Sequence, residues 1–261
     1  MSKKQMIRRR GLCAFLAVAM CFGLLPATAW AAEEGVAIDE SNFPNKTFRN
    51  YIQKVFDKDN NSFFSADEIA AVTELTFQYP DDPNTGVAGI TSLKGIEYFT
   101  ALTRLDCSYQ DLTELDLSRN TGLTSVLCYG NQLTELDLRA NTQLIELDCS
   151  SNELTHLDVS SNRNLEKLSC YNNRLTSLDL SQNNKLTYTY CDSWCPIEPD
   201  ENNTINLAEL MPDLDVGKTS DWVGGKVENG ILTIDEGAKQ VTYNYQCGNN
   251  IEMHVILHIH I

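Results

Sequence analysis

The chain has 261 residues, which is enough for one or two domains with a hydrophobic core. Hydrophobic residues make up 42% of the sequence and charged residues 21%, and this composition excludes a chain that is disordered throughout. The formal net charge is −16, from 20 basic and 36 acidic residues. A surface this acidic repels phosphate backbones and anionic lipid headgroups, so we expect no binding of nucleic acid.

Residues 1–31 are predicted to be a secretory signal peptide. They begin with five basic residues, Lys3, Lys4, Arg8, Arg9 and Arg10. An apolar run from Gly11 to Leu25 follows, and then Pro26 and a small-residue stretch with cleavage expected after Ala31 or Ala29. The alternative is an uncleaved membrane anchor, because residues 11–32 are nearly long enough to span a bilayer. We find no second apolar span, and we expect an exported protein with no membrane insertion after cleavage.

Residues 32–71 are predicted to form a helical N-terminal cap. Apolar residues between Phe48 and Phe56 recur with helical spacing, and residues 66–72 indicate a second helix. The segment between these helices fits a twelve-residue EF-hand calcium loop, although Ser62 stands where glycine is usual. The predicted Ca²⁺ ligands are Asp57, Asp59, Asn61, the Phe63 carbonyl, a water held by Ser65, and Glu68. The alternative is a cap that keeps the helix–loop–helix shape without an ion.

A repeat of 21 residues dominates the range 72–198. Its most regular members are five cysteines, Cys107, Cys128, Cys149, Cys170 and Cys191. Each period contains the half-turns L-x-x-L-x-C-x-x-N-x and L-T-x-L-D-L-x-x-N-x, which form a leucine-rich-repeat signature with cysteine in the third apolar position. The repeat predicts a mainly β solenoid of stacked parallel coils. Its first coil, from Val72, is irregular, with a loop predicted at Tyr79–Gly86.

The five repeat cysteines are predicted to be a structural ladder in the core. Adjacent coils would place their thiols about 4.8 Å apart with parallel Cα–Cβ bonds, which does not suit a disulfide. Cys195 and Cys247 lie outside the ladder, and a disulfide between them would join the last coil to the C-terminal region. A Cys191–Cys195 bond is the competing pairing.

The outward positions of the repeat strands are predicted to form the ligand-binding face. The candidate contact residues are Arg104, Leu127, Tyr129, Lys167, Tyr171, Tyr188 and Tyr190. Aromatic anchors contribute much of the energy of protein interfaces, but tyrosine also suits exposed strands. Five strands offer roughly 400 Å², against about 800 Å² per partner in a standard interface. The face therefore suits a peptide, a glycan or a weak multivalent contact unless the caps contribute.

The other half-turns align four aspartates, Asp116, Asp137, Asp158 and Asp179. Stacked like charges are destabilising, so we expect nearby hydrogen-bond donors to stabilise them. Thr113, Thr134, Thr155 and Thr176 recur at a suitable spacing, and binding of cations along the column is the alternative.

Residues 199–261 are predicted to form a small antiparallel β module that covers the last coil. Asn229-Gly230 indicates a hairpin, and two further segments alternate between apolar and polar residues. His254, His258 and His260 share one face of the last segment, which we interpret as a solvated strand face rather than a metal site.

With these features in place, the chain resembles the cysteine-ladder leucine-rich-repeat proteins of bacterial surfaces, the internalin J-like group. The cysteine column from Cys107 to Cys191, the Leu-Asp-Leu-Ser half-turns and the EF-hand-like cap carry the resemblance. The resemblance implies recognition or adhesion without catalysis. Surface members of that group usually end in a wall-sorting motif, which this sequence lacks, so secretion into the medium is favoured over covalent attachment.

The sequence therefore predicts a secreted bacterial binding or adhesion protein. Its expected partner is an extracellular protein, peptide or glycan that contacts the outer β face. The alternative is a structural, calcium-stabilised component of the cell envelope. We predict no enzymatic activity, because G-x-S-x-G, H-E-x-x-H and phosphate-loop motifs are absent from the sequence, and no cofactor other than Ca²⁺.

Overall fold

The computed structural model describes residues 35–77 and 89–260 of the chain. The predicted signal peptide and the predicted loop at Tyr79–Gly86 lie outside the described residues. Among the helices that are described, we find none with the length and apolarity needed to cross a bilayer.

The N-terminal region contains two helices, α1 (Lys46–Phe56) and α2 (Ala66–Ala71), and a two-stranded sheet of β1 (Val36–Ala37) and β2 (Phe63–Phe64). Asn45 caps α1 by accepting a hydrogen bond from the Phe48 N–H, and Ser65 begins α2 with a reciprocal capping box to Glu68. Five phenylalanines of this region and of the first coil are buried: Phe43, Phe48, Phe64, Phe77 and Phe99. Because the last two belong to the first coil, the helical region and the solenoid share one core.

Residues 74–77 and 89–190 form the described part of the solenoid, in which six short strands make one parallel sheet in sequence order. The strands are β3 (Glu74–Thr76), β4 (Arg104–Asp106), β5 (Ser125–Leu127), β6 (Glu146–Asp148), β7 (Lys167–Ser169) and β8 (Tyr188–Tyr190). From β4 to β8 each residue pairs with the residue 21 positions later, as Arg104 pairs with Ser125. The predicted mainly β leucine-rich-repeat architecture is confirmed.

The repeat cysteines lie inside the coils, where their side chains are at most 3% exposed. Burial raises the pKa of Cys107, Cys128, Cys149 and Cys170 well above the ordinary value of a thiol. These four thiols therefore stay protonated and pack as small apolar groups.

The C-terminal region consists of two further sheets and one short helix. Its elements are β9 (Ser193–Ile197), β10 (Thr204–Asn206), α3 (Leu207–Leu210), β11 (Thr219–Val223), β12 (Gly225–Glu228), β13 (Ile231–Ile234), β14 (Gln240–Gly248) and β15 (Ile251–Ile259). One sheet has the order β10-β13-β12 and the other β11-β14-β15-β9. All their pairs are antiparallel except β15 with β9, which is parallel. Strand β9, within the range predicted as solenoid, thus pairs with the C-terminal sheet.

All seven described cysteines are free thiols, and the order of the C-terminal strands separates the two residues of the predicted Cys195–Cys247 disulfide. Cys195 lies opposite Leu257 on β15, which in turn lies opposite Val241 on β14. Cys247 is six residues further along β14, so the two cysteines are roughly 20 Å apart. A disulfide requires Cα atoms within about 7 Å, so this sheet order excludes the bond.

Candidate ligand-binding face

The first outward column of the solenoid sheet is a chain of polar contacts between neighbouring coils. Arg104 donates to the Ser125 hydroxyl (3.0 Å), which donates to Glu146 (3.0 Å). Lys167 lies 3.4 Å from the other carboxylate oxygen of Glu146. The predicted contact residues Arg104 and Lys167 therefore converge on one carboxylate, which offsets part of their positive charge.

Other polar outward residues are also engaged by their own coils. Asp148 accepts a hydrogen bond from the Ser150 N–H at 3.0 Å, and the Ser150 hydroxyl pairs with the Ser169 hydroxyl at 2.8 Å. Ser150 and Ser169 are buried. The middle of the face is therefore closed by internal hydrogen bonds and offers few polar groups to a ligand.

Exposed aromatic side chains gather where the solenoid meets the C-terminal sheets. The rings of Tyr171 and Tyr190 are 4.6 Å apart, and Tyr188 and Tyr190 are 56% and 45% exposed. Trp194 is 38% exposed, and its ring lies 5.7 Å from that of His258 at a steep angle. We name these five residues the junction cluster.

Asn172 links the two parts of the junction cluster. Its side-chain oxygen accepts a hydrogen bond from the Trp194 indole N–H at 2.7 Å, and Asn172 directly follows Tyr171 in the chain. The bond fixes the orientation of an exposed indole, so the ring of Trp194 is held in place before a ligand arrives.

A second aromatic pair lies near the N-terminal end of the face. Tyr129 contacts Tyr109, with ring centres 4.9 Å apart and a T-shaped arrangement. Tyr109 adopts a left-handed backbone conformation, as do Gly130, Ser151 and Asn172 at the same place in later coils. A Cβ atom on Gly130 would lie 2.6 Å from the Tyr109 ring, so glycine leaves the space that the ring occupies.

The structure places the seven predicted contact residues in different surroundings. Tyr171, Tyr188 and Tyr190 join the junction cluster, whereas Leu127 and Tyr129 are half-buried. Sequence reasoning missed Tyr109, Trp194 and the ring contact of His258. One signal in the sequence could have indicated the position of Tyr109. The residue 21 positions later is Gly130, which has no side chain and so leaves room for a tyrosine ring from the preceding coil.

The predicted calcium loop brings three carboxylates together. One oxygen from each of Asp57, Asp59 and Glu68 lies within 4.8 Å of the others. Asp57 is buried and accepts hydrogen bonds from the Asn61 and Ser62 N–H groups. Ser62 has φ 63°, the left-handed conformation for which EF-hand loops use glycine.

Glu68 also has a structural role in this loop. It accepts hydrogen bonds from the Lys58 N–H (2.8 Å) and from the N–H and hydroxyl of Ser65, which lower its pKa. The side chain of Asn61 donates to Asp59 and accepts from the Phe63 N–H, and the Phe63 segment is strand β2. The loop is therefore held by its own hydrogen bonds, with the acidic oxygens facing one another.

The four aspartates Asp116, Asp137, Asp158 and Asp179 lie on the half-turns that contain no β-strand, which we call the strandless side. Their hydrogen-bond donors are not the threonines that the sequence suggested. Asp116 accepts from the Ser118 N–H at 2.9 Å, and Asp158 and Asp179 make the same bond to the serine two residues later. The fourth member, Asp137, pairs with Arg139 at 2.6 Å. Backbone turns favour this arrangement, because an aspartate bonds most easily to the N–H two residues on.

A groove of about 1230 Å³ runs along this strandless side. Its lining mixes the first three aspartates of the column with Arg119 and Arg139, and also includes His156. His156 lies 3.6 Å from Asp213 of the C-terminal region. The lining has six acidic and three basic residues, so the groove is acidic on balance.

Comparisons with known proteins give the same picture of the repeat. No family model matches the chain. A segment of 79 residues is 40% identical to internalin J of Listeria monocytogenes serotype 4b (strain F2365), and covers 30% of this chain and 8% of that protein. The match therefore spans less than a tenth of the length of this curated relative.

Two solved structures show the same fold. An internalin (inlF) from Listeria monocytogenes is similar with a TM-score of 0.51 and 24% identity, over 64% of this chain and 48% of that chain. A secreted internalin-like protein of the same species has a TM-score of 0.50 and 13% identity, over 87% of this chain and 98% of that chain.

Proposed function

We propose that this chain, an internalin-like leucine-rich-repeat protein, is a secreted bacterial binding protein whose ligand contacts the junction cluster. The observation that carries the proposal is the gathering of the exposed rings of Tyr188, Tyr190 and Trp194, with the half-buried ring of Tyr171, at one end of the sheet. The ligand is an extracellular protein, peptide or glycan.

The rest of the face supports this location by contrast. In the first outward column, hydrogen bonds and an ion pair join Arg104, Ser125, Glu146 and Lys167. A ligand that binds there would first have to break these contacts. Binding at the junction cluster is favourable instead, because a ligand removes the exposed apolar surface of these rings from water. Tyrosine and tryptophan also bury a large area for little loss of side-chain freedom.

Capture experiments with substituted proteins test the proposal. We expect a Tyr171→Ala/Tyr190→Ala/Trp194→Ala variant to lose at least about tenfold in capture by the binding partner, because truncating a central aromatic anchor typically costs 2 kcal/mol or more. The probes are host epithelial cells, immobilised mucin and purified bacterial cell walls. A Tyr109→Ala/Tyr129→Ala variant tests the other aromatic pair in the same assay.

The control is Val223→Ala, which removes an apolar side chain that is 65% exposed on β11. It should leave capture unchanged. If the Tyr109/Tyr129 variant loses capture while the junction variant keeps it, the ligand binds at the N-terminal end of the face. If the wild-type protein is captured by none of the three probes, a structural role in the envelope is favoured instead.

The convergence of Asp57, Asp59 and Glu68 supports calcium as a stabilising ligand of the N-terminal region. Hard oxygen donors at 4.8 Å or less from one another suit Ca²⁺, and binding would offset the mutual repulsion of the three carboxylates. In this second role the ion would hold the helix–loop–helix segment against the first coil.

Calorimetric titration of the protein with CaCl₂ tests this role. We expect binding heat at millimolar Ca²⁺ or below, and a higher thermal midpoint, because a ligand that binds only the folded state stabilises it. Asp59→Asn should weaken binding at least about tenfold, since it removes one of the three charges. Asp67→Asn changes a neighbouring exposed carboxylate outside the cluster and should bind as the wild type does. Absence of heat at millimolar Ca²⁺ would exclude the ion.

A further inference from the structure

The last cysteine of the ladder has a neighbour that the repeat does not supply. Cys191 directly follows β8, and Cys247 lies on β14 of the C-terminal sheet, 56 positions later in the chain. On β14, Cys247 stands between Gln246, which pairs with Glu252 of β15, and Gly248, which pairs with Ile251. Both side chains are buried, at 3% and 1% exposure.

Backbone contacts hold these two cysteines in place. The Leu180 N–H donates to the Cys247 carbonyl at 2.7 Å, and the Cys191 sulfur lies 3.8 Å from the Glu252 carbonyl on β15. Next to Cys247, Gly248 packs so closely on Ser181 that a Cβ atom would lie 3.2 Å from the Ser181 nitrogen. Both cysteines therefore lie beside Glu252, where the last coil of the solenoid meets the C-terminal sheet.

The other cysteines lack this geometry. Within the ladder, successive thiols extend from neighbouring parallel strands about 4.8 Å apart, and their Cα–Cβ bonds do not converge. Cys195 points to the Leu175 carbonyl at 3.9 Å and lies roughly 20 Å from Cys247. Only the approach of β14 to the last coil brings two thiols together from different directions among the described residues.

We infer that Cys191 and Cys247 are a disulfide site that covalently joins the last coil to the C-terminal sheet when the protein meets a low-molecular-weight disulfide such as oxidised glutathione. Two Sγ–H bonds are lost and one S–S bond forms, and the added disulfide is reduced to two thiols.

The reaction proceeds by two thiol–disulfide exchanges. The Cys191 thiolate attacks one sulfur of the small disulfide, and the S–S electron pair leaves with the first small thiolate. Cys247 then gives up its proton and attacks the Cys191 sulfur of the mixed disulfide, which releases the second small thiolate. Cys191 attacks first, because the neighbouring Cys247 side chain lowers the pKa of Cys191, whereas Cys191 and burial raise the pKa of Cys247.

Peptide mapping tests the site in the unsubstituted protein. The chain is unfolded, refolded with a mixture of reduced and oxidised glutathione, alkylated in denaturant without reductant, and digested. Trypsin together with a protease that cleaves before aspartate separates Cys191 from Cys195, because Asp192 lies between them. We expect a peptide pair linking Cys191 to Cys247, lighter by two hydrogens than the two thiol peptides, and alkylated Cys195.

Two variants and a stability measurement complete the test. Cys195→Ser should retain the linked peptide, and Cys247→Ser should lose it. In urea, the oxidised Cys195→Ser protein should unfold at a higher midpoint than the same protein with added reductant, because the bond constrains the unfolded chain. Recovery of alkylated Cys191 from refolded wild-type protein, or a link from Cys191 to Cys170 or Cys195, would overturn the inference.

Discussion

At the scale of single residues, asparagine replaces the strand pairing that the corners of each coil lack. Asn152 donates to the Cys128 and Cys149 carbonyls, each at 3.0 Å, and accepts from the Leu133 N–H at 3.0 Å. Asn131 and Asn173 make the same three contacts one coil earlier and one coil later. One side chain thus satisfies three buried backbone groups, which explains why the residue recurs with the period of the coil.

The second asparagine column provides a matched comparison. Asn162 donates to the Leu138 and Asn141 carbonyls at 3.0 and 2.8 Å, so it satisfies two backbone groups by contacts of the same kind. We predict that Asn152→Ala lowers the free energy of unfolding by at least about 2 kcal/mol, and by about 1 kcal/mol more than Asn162→Ala. Urea unfolding followed by circular dichroism measures both. Equal losses would show that the bond from the Leu133 N–H adds nothing to stability.

At the scale of secondary-structure elements, the 21-residue period predicted more than the individual residues could. The strands from β4 to β8 pair with a constant offset of 21 residues, so the spacing of five cysteines located the strands and their register. The same arithmetic fails at the last coil. Trp194 stands 21 residues after Asn173, which places it in the asparagine column, yet it is 38% exposed because β9 pairs with β15.

Other features of the candidate site depended on contacts that no periodicity encodes. The pairing of Cys247 followed from the order of strands in the C-terminal sheet, and Tyr109 contacts Tyr129 because its backbone is left-handed. The threonines were predicted as donors to the aspartate column from their spacing alone, but the donors to Asp116, Asp158 and Asp179 are serine N–H groups. A period identifies what recurs, whereas the ends of a solenoid are determined by elements that occur once.

The aspartate turns of the strandless half-coils lead to a prediction about pH. The pKa of Asp116, Asp158 and Asp179 is lowered from the ordinary 3.8, mainly by hydrogen bonds from the serine two residues on. The folded state therefore favours the charged form, so the stabilisation is complete above about pH 5 and is lost as the pH falls through the unfolded and then the lowered pKa values. We expect the urea midpoint of unfolding to fall between pH 5 and about pH 2.

Replacing all three aspartates by asparagine separates this effect from other acid effects. Asparagine still accepts the serine N–H but does not titrate, so the triple variant should lose part of the acid sensitivity of the wild type. Asp235→Asn, which changes an exposed charge outside the column, should keep it. An unchanged slope of midpoint against pH in the triple variant would contradict the assignment to these turns.

At the scale of the whole molecule, one hydrophobic core runs from Ile38 in the N-terminal region through every coil to Leu257 on β15. A solenoid exposes apolar surface at each end, and here both ends are covered by elements outside the repeat. The C-terminal contact is anchored by Tyr243, which is fully buried and donates to the Thr176 carbonyl at 2.8 Å. We therefore expect the solenoid and the C-terminal sheets to unfold together.

Tyr243→Phe tests that expectation, because it removes one hydrogen bond across the contact and leaves the ring in place. The loss of the donor to Thr176 should lower the free energy of unfolding by about 1 kcal/mol. Trp222 stacks on Tyr243 with ring centres 4.4 Å apart, so its fluorescence reports the C-terminal sheets, while circular dichroism reports all coils. In a cooperative molecule both signals shift to the same lower midpoint.

Tyr98→Phe, which removes the bond to Asn42 at the opposite end, should also move both signals together. A fluorescence midpoint that falls alone would mean that the C-terminal sheets unfold independently, and that the contact through Tyr243 does not couple them to the solenoid.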